Sequence, residues 1–78
     1  MPHSTRRITP ADVDANGCIM NVASGGVDYI IAAPTHCHFC GAIPAPVRIT
    51  VEFGATFEIN GEVHAGEYVY DSEFGNSG

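Results

Sequence analysis

The segment from Thr35 to Gly41 holds the densest group of potential metal ligands in this 78-residue chain. Cys37 and Cys40 have the two-residue spacing that allows both thiolates to bind one tetrahedral zinc ion from a single tight turn. Gly41 follows the second cysteine directly and supplies the backbone freedom with which such a turn usually closes. The segment therefore predicts one half of a zinc site.

This turn resembles half of a zinc knuckle, although a second Cys-x-x-Cys or His-x-x-His half is missing from the sequence. Cys18 would lie opposite Ala33 if the two preceding segments form a hairpin, and that register brings it near the cysteines of the turn. His36 and His38 flank the turn, and either could be the fourth ligand. We therefore expect a structural zinc ion bound by Cys18, Cys37, Cys40 and one of His36 or His38.

Two alternatives to zinc are open for the three cysteines. In a reducing compartment they could be small apolar side chains without a chemical role. Cys18 could instead form a disulfide with one cysteine of the turn, although the odd third cysteine counts against this pairing. His64 is a more distant potential ligand, and we expect it to be a partly buried neighbour of Phe57.

An enzymatic role for the cluster is not expected. A catalytic zinc keeps one coordination position open and needs a general base and a pocket. A pocket of several hundred cubic ångströms is hard to build in so small a β domain. The sequence contains no glycine-rich phosphate loop and no paired carboxylate motif beside the cluster. We therefore predict a protein without catalytic residues.

The composition predicts one small folded domain, with 45% hydrophobic and 15% charged residues. The sequence has nine acidic side chains, three arginines and no lysine, so the net charge is −6. Because contacts to phosphate need basic side chains, direct binding to nucleic acid is not expected. No stretch has the length of a membrane span, and residues 1–10 lack the apolar centre of a secretory signal. We expect a cytoplasmic protein without membrane contact.

The fold expected from the residue pattern is mainly β, with two antiparallel hairpins that form a small sheet or half-barrel. The first hairpin pairs residues 18–23 with residues 27–33 around a glycine pair. The Cys/His-rich segment is the loop that connects the hairpins. Residues 1–17 form a loose N-terminal arm with a short helix beginning at Thr9, the β domain spans 18–70, and 71–78 form a frayed tail.

The second hairpin shows the clearest alternation of apolar and polar residues in the chain. Its turn is predicted at Asn60–Gly61, a strong signal for a two-residue hairpin loop. Folding back at this turn places Val51 opposite Tyr70. Gly54 would mark a bulge in this long ribbon, and a tight turn over residues 53–56 is the alternative, which would give five strands.

Acidic side chains on the second hairpin form the expected partner-binding surface. These residues are Glu52, Glu58, Glu62 and Glu67. The simplest interpretation is that they lie on the solvent face of a half-buried sheet. The functional interpretation is a surface for a protein partner whose own surface is basic, because such charges raise the association rate and select the sign of the partner.

The segment 27–33 predicts self-association. It has Asp28 as its single charge and contains neither the lysine nor the proline that usually protects an exposed sheet edge. Either another part of the chain or a second copy must then cover this edge. We expect a homodimer formed by twofold edge pairing.

Three functions are compatible with these features. The first is a small acidic, non-enzymatic protein-binding module that acts as an inhibitor or adaptor of a larger machine, such as one that handles nucleic acid. Small acidic phage and mobile-element proteins, anti-CRISPR proteins among them, are similar in size and charge. The alternatives are a structural subunit of a viral capsid, of the decoration type, and a small zinc-dependent enzyme or metal-handling protein.

Overall fold

The computed structural model describes residues 4–22, 25–44, 46–59, 61–66, 68–72 and 76–77. Over these residues the chain is mainly β, as predicted, and a 3-10 helix at Pro10–Asp12 is its only helix. The described strands are β1 (Ser4–Ile8), β2 (Val27–Ile31), β3 (His36–His38), β4 (Ala42–Ile43), β5 (Val47–Val51), β6 (Thr56–Ile59), β7 (Glu62–Ala65), β8 (Tyr68–Ser72) and β9 (Asn76–Ser77). None of this described chain forms a helix able to cross a membrane.

The larger sheet has four strands in the order β1-β2-β5-β8. The pairs β1–β2 and β2–β5 are parallel, whereas β5–β8 is antiparallel. Parallel neighbours need a crossover of about a dozen residues or more. The segments 9–26 and 32–46 supply these crossovers, so the Cys/His-rich segment connects two parallel strands rather than two hairpins.

The smaller sheet has three strands in the order β3-β6-β7. β3 pairs with β6 in parallel, and β6 and β7 form an antiparallel hairpin. A further short pair joins β4 to β9 in antiparallel orientation. The larger sheet and the smaller sheet are therefore both mixed, because each contains parallel and antiparallel pairs.

One hydrophobic cluster collects the inward-facing residues of both sheets. Phe39, just after β3, lies between the two sheets in this cluster. Its ring packs edge-to-face on Tyr29 of the larger sheet, with ring centroids 5.2 Å apart, and on Phe57 of the smaller sheet, at 5.6 Å. All three side chains are almost completely buried. Phe39 therefore links the two sheets through the core.

The first predicted hairpin does not form between the described residues 18–22 and 27–33. β2 pairs with β1, which comes from the segment predicted to be a loose arm. Ile8 at the end of β1 is completely buried, which anchors this strand in the core. Because β1 covers one edge of β2 and β5 the other, the reason given for a homodimer through 27–33 is wrong. Self-association itself stays a prediction.

The second predicted hairpin is only partly correct. The β6–β7 hairpin forms, with Phe57 opposite His64, and Asn60 of its turn lies outside the described residues. The long ribbon is broken at Gly54, which has a φ of +85° in a turn closed by a hydrogen bond from the Ala55 N–H to the Glu52 carbonyl, 3.1 Å. β5 and β6 therefore enter different sheets.

The break also changes the register of the returning strand. Val51 lies opposite Tyr68 rather than Tyr70, a shift of two residues from the predicted pairing. The segment predicted to be a frayed tail contributes the end of β8 and, further on, the pair between β4 and β9. The backbone of this tail is thus held by strand pairing at 71–72 and 76–77.

Candidate functional site

Three of the five predicted metal ligands come together in the structure. The sulfur atoms of Cys18 and Cys40 and a ring nitrogen of His38 all lie within 4.8 Å of one another. Cys18 and Cys40 are joined by a disulfide, with Cα atoms 5.5 Å apart. The His38 Nε2 atom lies 3.3 Å from the Cys40 Sγ atom. We call these three residues the Cys/His cluster, whose disulfide is the alternative that the sequence left open for Cys18.

The backbone around Cys18 fixes the geometry of the Cys/His cluster. Cys18 and His38 are parallel bridge partners. The His38 N–H donates to the Gly17 carbonyl at 2.9 Å, and the Ile19 N–H donates to the His38 carbonyl at 3.1 Å. The Asp14 carboxylate accepts a hydrogen bond from the Cys18 N–H at 3.0 Å. Cys18 is thus held beside β3 by main-chain contacts that do not depend on the disulfide.

Cys37 lies apart from the Cys/His cluster, which corrects its predicted role as a third sulfur ligand. Successive side chains of a strand point to opposite faces, so Cys37 faces the core while its neighbours on β3 face outward. It pairs with the fully buried Phe57 and is only 5% exposed. Burial raises the pKa of the Cys37 thiol to about 12, which disfavours the thiolate that a metal needs.

His36 and His64 also lie outside the Cys/His cluster. His36 is exposed, and its Nδ1 atom is hydrogen-bonded to the Thr56 hydroxyl on the neighbouring strand. His64 is half-buried opposite Phe57, as expected, and stacks on Tyr68 with ring centroids 3.9 Å apart. Of the candidate histidines, the structure therefore selects His38 as the partner of the two cysteines.

The predicted acidic surface is divided between two places. Glu52 lies just after β5 and accepts two hydrogen bonds from the Arg7 guanidinium, at 2.9 and 3.1 Å. Glu58 lies on β6 in the other sheet, and Glu62 begins β7; both are exposed. Glu67 lies outside the described residues. The turn at 53–54 is the reason that Glu52 and Glu58 do not share one face.

Each of the three arginines forms an ion pair. The pairs are Arg6–Asp12 at 3.5 Å, Arg7–Glu52 at 2.9 Å and Arg48–Asp71 at 2.9 Å. Such exposed pairs add little stability, but each one cancels a negative charge locally. Glu58 and Glu62 have no ion pair with any described residue. The excess negative charge of the described chain is therefore concentrated in part on the β6–β7 hairpin.

The Cys/His cluster and the acidic hairpin adjoin on one surface. The strand registers place His38 beside Glu58, and Glu58 beside Val63. Side chains of directly paired residues project from the same side of a sheet. Val63 is 65% exposed although it is apolar. We define the outer face of the smaller sheet as His36, His38, Thr56, Glu58, Val63 and Ala65.

A separate cleft of about 200 Å³ lies beside the crossover from β2 to β3. It is lined by Pro10, Val13, Asp14, Pro34, Thr35 and His36. Sites for drug-sized ligands usually occupy roughly 300–1,000 Å³. The cleft is thus small, and it contains none of the three residues of the Cys/His cluster.

Two residues that position the Cys/His cluster were missed by sequence reasoning. Asp14 bonds the backbone N–H of Asn16 at 2.8 Å as well as that of Cys18, which is the pattern of an Asx turn. Gly17, with a φ of +82°, follows in the same turn. The signal is the sequence Asp14-Ala15-Asn16-Gly17, which lies in the segment predicted to be a loose arm.

Comparison of the chain with protein-family models, curated proteins and solved structures finds no match.

Proposed function

We propose that this protein is a non-enzymatic binding module that recognises a partner protein with a basic surface, and that it acts as an inhibitor or adaptor of that partner. The observation that supports this proposal is the charge distribution. All three arginines are in ion pairs, whereas Glu58 and Glu62 are exposed and have none with the described residues. Exposed carboxylates without a neighbouring positive charge favour a cationic partner.

Val63 supplies the apolar contact that such an interface needs. It lies opposite Glu58 on the outer face and is 65% exposed. Interfaces between proteins usually combine an apolar centre with a polar rim. The arrangement of Val63 beside Glu58 is a small version of this pattern.

The position of β7 at the sheet edge supports the same surface. In the described part of the chain β7 pairs with β6 alone. An edge strand presents backbone N–H and C=O groups to which an extended partner segment can add. A basic extended segment lying along β7 would meet Glu62 on one side of the sheet and Val63 on the other.

Affinity capture tests this proposal. Immobilised protein is exposed to a lysate of the source organism, and the retained proteins are identified by mass spectrometry. The variant Glu58→Gln/Glu62→Gln should lose a retained basic protein. The matched control, Ser4→Lys/Thr5→Lys, changes the net charge by the same amount on exposed positions of β1, in the other sheet.

The control should retain the same partner as the wild type. Equal retention by both variants and the wild type contradicts the proposed surface. Equal loss in both variants shows that net charge, rather than the acidic β6–β7 hairpin, governs binding, and contradicts the proposed surface as well.

A structural subunit of a larger assembly is the second candidate. In the four-stranded and three-stranded sheets of the described chain, the edge strands are β1, β8, β3 and β7, each with one neighbour in its sheet. Edges of this kind can pair with a second copy. Light scattering at high protein concentration separates the two candidates, since assembly beyond a dimer supports the subunit and a monomer of 8.2 kDa or a dimer supports the binding module.

A further inference from the structure

We infer that the Cys/His cluster is a redox-gated metal site. A dithiol reductant opens the Cys18–Cys40 disulfide, and the two thiolates then bind a thiophilic divalent cation, such as zinc, together with the His38 ring. In the oxidised protein the same two sulfur atoms are bonded to each other, so the site is closed. The inference does not depend on the proposed function.

The donor atoms already lie close to the separation that a metal requires. Zinc binds thiolate sulfur at about 2.3 Å and imidazole nitrogen at about 2.0–2.1 Å, so ligands of one tetrahedral ion lie roughly 3.5–4 Å apart. The three donor atoms of the cluster lie within 4.8 Å of one another. With the Cα atoms of Cys18 and Cys40 at 5.5 Å, rotation of the side chains is sufficient to reach this separation.

The site should keep its shape after reduction. Main-chain hydrogen bonds link Gly17 and Ile19 to His38, and the Asp14 carboxylate holds the Cys18 N–H. None of these contacts involves a sulfur atom. The reduced cysteines therefore remain on adjoining segments, which lowers the entropic cost of bringing the ligands together when the metal binds.

The disulfide is accessible to a reductant, whereas the third cysteine is not. Cys40 is exposed and Cys18 is half-buried, but Cys37 is 5% exposed. Thiol–disulfide exchange needs access of the attacking thiolate to a sulfur atom. Because cytoplasmic thiols are kept reduced, the open form would dominate in the compartment expected for this protein.

His38 distinguishes this arrangement from a disulfide that only stabilises the fold. A stabilising disulfide needs no histidine, yet the His38 Nε2 atom lies 3.3 Å from the Cys40 sulfur. Three protein ligands leave one tetrahedral position for water or for a group of a bound partner. That position would lie beside the outer face, where Glu58 is the strand neighbour of His38.

The dithiol is the reductant that opens the Cys18–Cys40 disulfide. Its two sulfur atoms become a cyclic disulfide, and its two hydrogen atoms pass to Cys18 and Cys40. Binding of the divalent cation then displaces the two thiol protons into solvent. Metal uptake should therefore weaken as the pH falls.

Titration of the 78-residue chain with cobalt(II) tests the inference, because thiolate-to-cobalt absorption reports sulfur ligands directly. Protein reduced with a dithiol, and then freed of it without oxygen, should bind about one cobalt ion per chain, as expected for a single site. The oxidised protein should bind none. Added zinc should displace the cobalt from the reduced protein.

Two substitutions separate the metal site from the disulfide. His38→Gln keeps the disulfide, so its fold can be verified by circular dichroism in the oxidised state. Partners outside the ligand shell are worth roughly 10–100-fold in metal affinity, so the loss of this direct ligand should cost at least as much. Cys37→Ala is the control, with Cys37→Ser as its replacement if the alanine variant does not fold, and either should leave uptake unchanged.

Three results would overturn the inference. The first is a reduced wild-type protein that shows no more cobalt absorption than the Cys18→Ser/Cys40→Ser variant. The second is wild-type affinity in His38→Gln. The third is loss of uptake in a folded Cys37 variant, which would make the buried thiol a ligand and the assigned ligand set wrong.

Discussion

Removing the Cys18–Cys40 disulfide should lower the stability of the domain by an amount that its position in the chain determines. The two cysteines are separated by 22 residues in sequence. In the chain-entropy description, a cross-link over a loop of that length removes about 11 cal/mol/K from the unfolded state, or about 3 kcal/mol at 25 °C. A domain of this size has roughly 4–12 kcal/mol of stability in total, so the loss is large.

Urea unfolding of the oxidised wild type and of Cys18→Ser/Cys40→Ser, followed by circular dichroism, measures this loss. For a domain of this size about 3 kcal/mol corresponds to a decrease of roughly 12–24 °C in the melting temperature. Reduced wild type should melt close to the double variant without zinc, and above it with zinc. Equal stability of the oxidised and reduced wild type in a chelator would refute the assigned disulfide.

Three further predictions concern the core, the turn beside the Cys/His cluster and acid stability. Phe39→Ala should lower the free energy of unfolding by about 3–5 kcal/mol in urea unfolding, because this ring links both sheets. Gly17→Ala and Gly61→Ala both place a Cβ at a φ of +82°, and each should lower the free energy of unfolding by about 1 kcal/mol. Only Gly17→Ala should weaken metal uptake by the reduced protein, because its Cβ would lie 3.4 Å from the ring of His38. Hydrogen bonds from the Thr9 backbone N–H and hydroxyl lower the pKa of Asp12 below its ordinary value of 3.8. This carboxylate therefore stabilises the fold above pH 3.8, and the stabilisation is lost as the pH falls further. Asp12→Asn should make the loss of stability in acid shallower in melts recorded across this pH range.

The sequence was sufficient for the elements whose signals are local. The β6–β7 hairpin follows from the alternation of apolar and polar residues around a recognisable turn, and Phe57 lies opposite His64 as expected. The parallel pairing of β1 with β2 has no comparable signal, because parallel partners are not joined by a turn. Ser4–Ile8 is an edge strand with a single apolar residue, Ile8, so its composition resembled that of a loose arm.

The Cys/His cluster was predicted through a different contact from the one that forms it. Cys18 was placed near the turn through a hairpin with Ala33, whereas the structure brings it there through a parallel bridge to His38. Cys37 was assigned as a ligand because of its two-residue spacing from Cys40, in a segment expected to be a loop. Once the segment is a strand, alternation turns Cys37 to the core and leaves His38 outside.

The rate at which the protein associates with its captured basic partner, measured at several salt concentrations, tests the proposed binding surface most directly. If Glu58 and Glu62 attract this partner, Glu58→Gln/Glu62→Gln should associate more slowly at low salt, on the order of 10-fold, and its rate should depend less on salt. Ser4→Lys/Thr5→Lys should stay close to the wild type in both respects. A wild-type rate and salt dependence in the Glu58/Glu62 variant, or the same change in the control, would contradict a binding surface on the β6–β7 hairpin.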